Sequence, residues 1–147
     1  MTQIEIKIKK LDKDAVIPTY GTMYSAGADL YALAKEPVVI KPGETVLIHT
    51  GLAFEICEGY GGFVFARSGL ATKKGLAPAN KVGVIDSDYR GELMIPLHNS
   101  SGTDATISNG ERVAQIVFLP YGTAHFIETD ELDDTVRGCG GFGSSGV

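Results

Sequence analysis

What this chain lacks narrows the field before anything it contains. Its 147 residues include only two cysteines, Cys57 and Cys139. They form no C-x-x-C pair and no disulfide framework of the secreted type, so a reducing, intracellular (cytoplasmic) setting is expected. Apolar residues never run for the ~18 positions a membrane span requires, which predicts a soluble chain with no membrane partner. The N-terminus, Met1-Thr2-Gln3-Ile4, has no basic segment leading into an apolar one, so no signal peptide is expected. Positive charge is in deficit, with 13 basic residues against 18 acidic ones and a net charge of −5. Nonspecific nucleic-acid binders are usually basic, which disfavours nucleic acid as a partner but leaves room for a small polyphosphate held by a few local Arg and Lys. Several catalytic signatures are missing too. Without H-x-E and P-C-x-x-C there is no zinc nucleobase deaminase, and without a Gly-Lys-Ser/Thr loop there is no P-loop. Gly143-Ser144-Ser145-Gly146 does not have the spacing of a G-x-S-x-G elbow. His49, His98 and His125 lie far apart among apolar neighbours and read as core or surface residues rather than a zinc site.

What is present reads as one domain of β-strands. Chains of this length bury roughly 70% of their unfolded surface and need neither disulfide nor metal to hold a core; the hydrophobic fraction, 44%, is that of a globular protein. Ile4, Ile6 and Ile8 alternate with Glu5, Lys7 and Lys9, a period of two that predicts a strand with one wet face. Val38 to Ile40, Thr45 to Phe54, Gly62 to Ala66, Lys81 to Ile85, Glu92 to His98, Arg112 to Leu119 and Thr123 to Ile127 also read as strands. Turn signals such as Lys41-Pro42-Gly43-Glu44 and Ser108-Asn109-Gly110 separate them. Many short strands with regular turns predict an all-β sandwich or barrel. One short helix is expected over Leu70 to Lys74, capped by Ser68 and ended by Gly75.

Chemistry concentrates in a few places. Gly83-Val84-Ile85-Asp86-Ser87-Asp88-Tyr89-Arg90-Gly91-Glu92 places a carboxylate and an aromatic ring on a turn between two apolar runs, so rigid strands would fix a reactive loop. Asp86 is the carboxylate that directly follows the first run. Arg67, beside the expected helix start at Ser68 and Gly69, could form an anion site from backbone N–H groups and a guanidinium fork; the plainer reading is a capped surface turn with a solvated Arg. Asp29 is either a strand-end residue or an outer-sphere partner of hydrated Mg²⁺. Gln115, inside an apolar strand, either satisfies a backbone group or faces a ligand. The glycine-laced tail is a frayed terminus on composition alone. Read residue by residue, Arg137, Ser144 and Ser145 offer phosphate donors, Phe142 a ring to stack on a base, and the glycines close approach to an anion.

Taken together, five segments resemble the trimeric dUTP diphosphatase (dUTPase) family, from about Pro18 to Gly146. They are Ala26 through Tyr31; Arg67-Ser68-Gly69-Leu70-Ala71 with Lys74-Gly75; Gly83 through Gly91; Gly110 through Gln115; and Arg137 with Gly140 through Gly146. Departures are small: Ala66 where Pro often precedes the Arg, Cys57 where Pro is common, and Ser145 where Thr is frequent. None removes a functional group.

The resemblance implies an all-β, jelly-roll-like distorted β-barrel with one short helix, spanning residues 1–136, and a flexible arm, residues 137–147, that closes over the active site. It implies a homotrimer with active sites at subunit interfaces and a Mg²⁺-dependent conversion of dUTP and water to dUMP and pyrophosphate, which limits uracil in DNA and supplies dUMP for thymidylate synthesis. Asp86 would be the general base. Asn80 and the backbone around Gly83 and Ile85 would read uracil, and Tyr89 would exclude a 2′-hydroxyl. Arg67, Ser68, Gly69 and Gln115 would hold phosphates, and Arg112 would support them and Asp29, which would reach Mg²⁺ through water. Arg137, Ser144 and Ser145 would clamp the γ-phosphate while Phe142 covers the base, and Gly143 would also bind substrate. Two alternatives remain: a dCTP deaminase on the same fold would need a catalytic Glu and a different loop after Arg67-Ser68, and a binding or regulatory protein that had lost turnover would be marked by loss of Asp86, Arg67 or the tail, none of which is lost. The resemblance leaves Asp88 without a role.

Overall fold

A computed structural model describes residues 3–141. Among these residues eleven strands and one helix follow one another: β1 (Lys7–Lys10), β2 (Thr19–Tyr20), β3 (Ala28–Tyr31), β4 (Val38–Ile40), β5 (Thr45–Glu55), β6 (Tyr60–Phe65), α1 (Ser68–Lys74), β7 (Leu76–Pro78), β8 (Gly83–Ile85), β9 (Glu92–Asn99), β10 (Ala105–Ile107) and β11 (Arg112–Pro120). All pairings are antiparallel. They make a four-stranded sheet β1-β5-β9-β7, a five-stranded sheet β2-β3-β11-β6-β8 and a two-stranded ribbon β10-β4. The expected all-β, jelly-roll-like architecture with one short helix is therefore what is found, with its strands in three sheets whose edges do not join into a closed ring.

Alternation drives the packing. In β9, Leu93, Ile95, Leu97 and Asn99 point inward and the residues between them outward. With Leu30 of β3, Ile40 of β4, Ile48 and Leu52 of β5, and Val113 and Ile116 of β11 they form one core. Asn99, fully buried, is accommodated because its side-chain amide donates to the Ile40 and Thr103 carbonyls, each at 2.8 Å, and its Oδ1 accepts from the Ser101 amide and hydroxyl.

Three expectations are revised. Thr123 to Ile127 forms no strand: Phe126 and Ile127 stand 90% and 78% exposed, because among the described residues no strand lies beside them to complete a ladder. Ser68 does not cap α1 but begins it. Arg67 occupies the cap position with extended backbone and makes no side-chain capping bond, its guanidinium being drawn elsewhere. Gly75 does end the helix, in the left-handed conformation at φ 66°, its N–H bonding the Ala71 carbonyl. Lastly, β2, β3, β7 and β10, absent from the predicted strands, are present as elements of two to four residues. Among the described residues no helix is long and apolar enough to cross a membrane.

Candidate active site

The register of the five-stranded sheet assembles a cationic pocket. Strand β11 lies between β3 and β6, so that Gln115 sits opposite Asp29 on one side and Phe65 on the other. Two residues past Phe65 the chain turns into α1 at Arg67. The Arg67 Nε donates to Asp29 Oδ1 at 2.7 Å, and Arg112 Nη1 donates to Asp29 Oδ2 at 3.1 Å. One carboxylate, its side chain 14% exposed, thus bridges two guanidinium groups. Arg67 Nη1 also reaches the Arg112 carbonyl at 3.4 Å. The concavity they line, about 510 Å³, includes Ser25, Gly27, Ser68, Gly69 and Gln115. Two arginines against one aspartate leave it net positive. At α1 the Ser68 and Gly69 amides have no acceptor among the described residues, as first-turn donors do not. Gln115 Nε2 donates to the Ala66 carbonyl at 2.9 Å, so the amide does satisfy a backbone group. Its Oε1 crowds Gly27, where a Cβ would lie 2.6 Å away. Glu111 braces the turn before β11, accepting from the Ser108 amide and from Lys74.

A second pocket, about 320 Å³, forms on the other flank of β6. Strand β8 pairs with β6, Ile85 opposite Gly62, and carries the chain into the Asp86 turn. Asn80, Ile85, Asp86 and Tyr89 line the pocket together with apolar Leu47, Val84, Met94 and Pro96. The Asp86 carboxylate is exposed to solvent, while its backbone carbonyl accepts from the Tyr89 amide at 3.2 Å. Arg90 tightens the turn by donating to the Ser87 and Tyr89 carbonyls. Asn80 is presented by a tight turn in which Lys81 adopts a left-handed conformation, φ 66°, and the Val82 amide donates to the Asn80 carbonyl at 2.7 Å. Gly83, buried against Val64, brings the backbone close to the Asn80 amide.

The same pocket is also lined by a carboxylate the sequence did not single out. Glu92 accepts from the Gly51 amide at 2.8 Å and meets His49 Nδ1 at 2.9 Å. Burial alone would raise its pKa; the bonds from His49 and from the strand backbone outweigh that and hold the carboxyl below its ordinary value. No spacing rule connects Glu92 to His49, and only the pairing of β5 with β9 does so.

The predicted residues therefore fall into two groups. Asp29, Arg67, Ser68, Gly69, Arg112 and Gln115 share one pocket; Asn80, Ile85, Asp86 and Tyr89 share the other, with Gly83 beneath them. The two pockets have no lining residue in common. Arg137 joins neither: it is exposed and its Nε donates to the Gly140 carbonyl at 2.9 Å. Phe142, Gly143, Ser144 and Ser145 lie outside the described residues. Among the described residues no group of three His, Cys, Asp or Glu could hold a metal ion by itself.

A comparison with families of known proteins matches residues 13–146 to dUTPase. The "Deoxyuridine 5'-triphosphate nucleotidohydrolase" of Desulfitobacterium hafniense is 51% identical over 150 aligned residues, covering 100% of this chain and 99% of that one. The protein of the same name from Nautilia profundicola is 52% identical over 143, covering 97% and 99%. Among solved structures, the Staphylococcus bacteriophage 80alpha dUTPase with dUPNHPP superposes with a TM-score of 0.89 at 31% identity, over 99% of this chain and 100% of that one. With five motif segments in order and an aspartate-bridged arginine pair on the matching fold, the chain belongs to the dUTPase family.

Proposed function

We propose that this protein is a Mg²⁺-dependent dUTP diphosphatase, hydrolysing dUTP to dUMP and pyrophosphate. The observation that carries the reading is the complementary pair of pockets. One is small, partly apolar and edged by an amide, a carboxylate and an aromatic ring, and suits a pyrimidine deoxynucleoside. The other is cationic, with guanidinium forks held in advance, and suits a polyphosphate.

The chemistry needs little more than placement and charge neutralisation. Asp86 accepts a proton from a water molecule as that water attacks the α-phosphorus. The bond from the α-phosphorus to the bridging oxygen breaks, and pyrophosphate leaves with that oxygen. A base of this kind is worth roughly 10²–10⁴-fold. Arg67, with the amides of Ser68 and Gly69, holds the phosphates; Gln115, tied to the Ala66 carbonyl, keeps the edge of β6 in place beneath them. Asn80 and the backbone at Gly83 and Ile85 read the base, and the Tyr89 ring packs where a 2′-hydroxyl would otherwise sit.

The donor set fits Mg²⁺ only indirectly. Both oxygens of Asp29 already accept from arginines, so the ion would be held by phosphate oxygens and water, with Asp29 reaching it through a water molecule. When bound, the ion neutralises phosphate charge and makes pyrophosphate a better leaving group.

Because the two pockets are separate within one chain, we place a complete site between subunits of a homotrimer, Asp86 from one and Arg67 from another. Segment 121–136 favours assembly as well: it leaves Phe126, Ile127, Leu132 and Val136 in solvent, apolar area that a neighbouring copy would cover. The arm from Arg137 onward, with Phe142, Gly143, Ser144 and Ser145, then closes over the bound nucleotide. The substrate would come from a soluble nucleotide pool inside the cell. The direct test is pyrophosphate release from dUTP, dCTP, UTP and dTTP side by side, with and without Mg²⁺. Turnover of dUTP no faster than that of dCTP would refute the reading.

A further inference from the structure

Resting on the reading of Tyr89 as the sugar-facing ring, we propose that Gly91 and Glu92 form the seat that orients this ring. Glu92 is then a positioning residue for the choice between deoxyribose and ribose. The ring needs such a seat, because Tyr89 is 43% exposed and packing alone does not fix it. Its hydroxyl instead donates to the Glu92 carbonyl at 3.0 Å. Folding back this far is possible because residue 91 is glycine; a Cβ there would collide with the Tyr89 hydroxyl and ring.

The ring can be no better placed than the carbonyl that anchors it. That carbonyl lies at the start of β9, where the ladder with β5 is interrupted. Pairing runs from Thr45 opposite His98 to His49 opposite Met94, breaks, and resumes only at Ala53 opposite Glu92. Across the break, side chains replace the missing ladder. Glu92 Oε1 accepts from the Gly51 amide and Oε2 from His49, while the Thr50 hydroxyl donates to the Leu93 carbonyl at 2.6 Å. Three successive residues of β5 are thereby tied to the first two of β9. A carboxylate suits the site because both of its partners present N–H groups and it offers two acceptors. The line of constraint runs from carboxylate to backbone, from carbonyl to hydroxyl, and so to the ring edge that would meet a 2′-hydroxyl.

The test is the ratio of kcat/KM for dUTP to that for UTP in the full chain, measured for the wild type, Glu92→Ala, Glu92→Gln and Tyr89→Phe. In Glu92→Ala the ratio is expected to fall on the order of tenfold, the effect of a displaced positioning group. Glu92→Gln keeps one acceptor for the Gly51 amide and should fall in between. Tyr89→Phe deletes only the anchoring hydroxyl and should lower the ratio much as Glu92→Ala does, and combining the two should lower it no further. An unchanged ratio in Glu92→Ala, with only a lower unfolding temperature, overturns the proposal. Should that variant fail to fold, an unchanged ratio in Tyr89→Phe overturns it equally. A wild type that does not hydrolyse dUTP sinks the functional reading itself; a discriminating wild type whose variants discriminate as well sinks only the seat.

Discussion

Replacing Asp29 with Asn is the most informative single perturbation of the cationic pocket, because two effects of opposite sign compete there. The carboxylate accepts at 2.7 Å from Arg67 and at 3.1 Å from Arg112. Hydrogen bonds to charged groups contribute about 1.5–3 kcal/mol each, and the Arg112 contact belongs near the bottom of the surface range, roughly 0.5 kcal/mol, because that side chain is half exposed. Asn keeps one acceptor but turns an NH₂ toward the other guanidinium, so one arm is lost and a donor faces a donor. Each arginine set free has to be ordered again on binding, at about 0.5–1.5 kcal/mol per side chain. Against this, removing a negative charge from a polyphosphate site favours the substrate by about 0.5–2 kcal/mol for each phosphate charge some 8 Å away that Mg²⁺ leaves unneutralised. Binding should therefore change little, whereas kcat, which depends on placement at the α-phosphorus, should fall on the order of 10–100-fold. Steady-state kinetics together with calorimetric binding of a non-hydrolysable dUTP analogue separates the two. If Asp29→Asn binds the analogue more tightly and turns over dUTP at the wild-type rate, the arginines are positioned without Asp29 and the argument is wrong. A Mg²⁺ titration adds a further check: the deficit should persist at high Mg²⁺ if arginine placement is the cause, and shrink if the water-mediated role dominates.

Asp86→Asn should fold and bind nucleotide normally while kcat drops by about 10²-fold or more, and near-normal kcat would remove Asp86 as the base. A chain ending at Thr135 should fold, since the core is complete by β11, yet lose most turnover for want of Arg137 and the arm; equal turnover by both chains would refute the closing role. Glu92 supplies a pH signature with a definite sign. Its pKa is lowered on folding from an ordinary 4.5, so its stabilisation is present above that value and is lost as pH falls through the lower folded one. Acid titration of stability should then show a steeper loss below about pH 4.5 in the wild type than in Glu92→Gln, and parallel curves would contradict the assignment.

Much of the fold was legible because burial imposes a period of two. Ile4, Ile6 and Ile8 are each half-buried between exposed neighbours, and β5, β6, β9 and β11 lie close to where alternation and turn residues put them. The short elements β2, β3, β7 and β10 escaped because two to four residues carry too little period; β7 even ends on Pro78, tolerable there at a sheet edge. Thr123 to Ile127 failed for the opposite reason: its residues favour strands, but a strand exists only beside another. The site was legible as motifs, with each predicted residue in the described part found in or against one of two pockets, Arg137 apart. What spacing could not give was the meeting of Asp29 with Arg67 and Arg112, 38 and 83 positions away. Nor could it give the clip from Glu92 to His49 and Gly51, which arises only from an irregularity in strand pairing.

The exposed stretch after Pro120 has a consequence for biosynthesis. Among the described residues, every buried residue of the hydrophobic core precedes it, the last being Ile116. Synthesis therefore completes the core sequence before the apolar side chains of Phe126, Ile127, Leu132 and Val136 are added. Under the proposed homotrimer, folding and association are successive events: the first is unimolecular and indifferent to dose, the second bimolecular and governed by how fast chains accumulate. At low expression the interval between them lengthens, and an unassociated chain then displays an exposed apolar strip that proteases and chaperones can find.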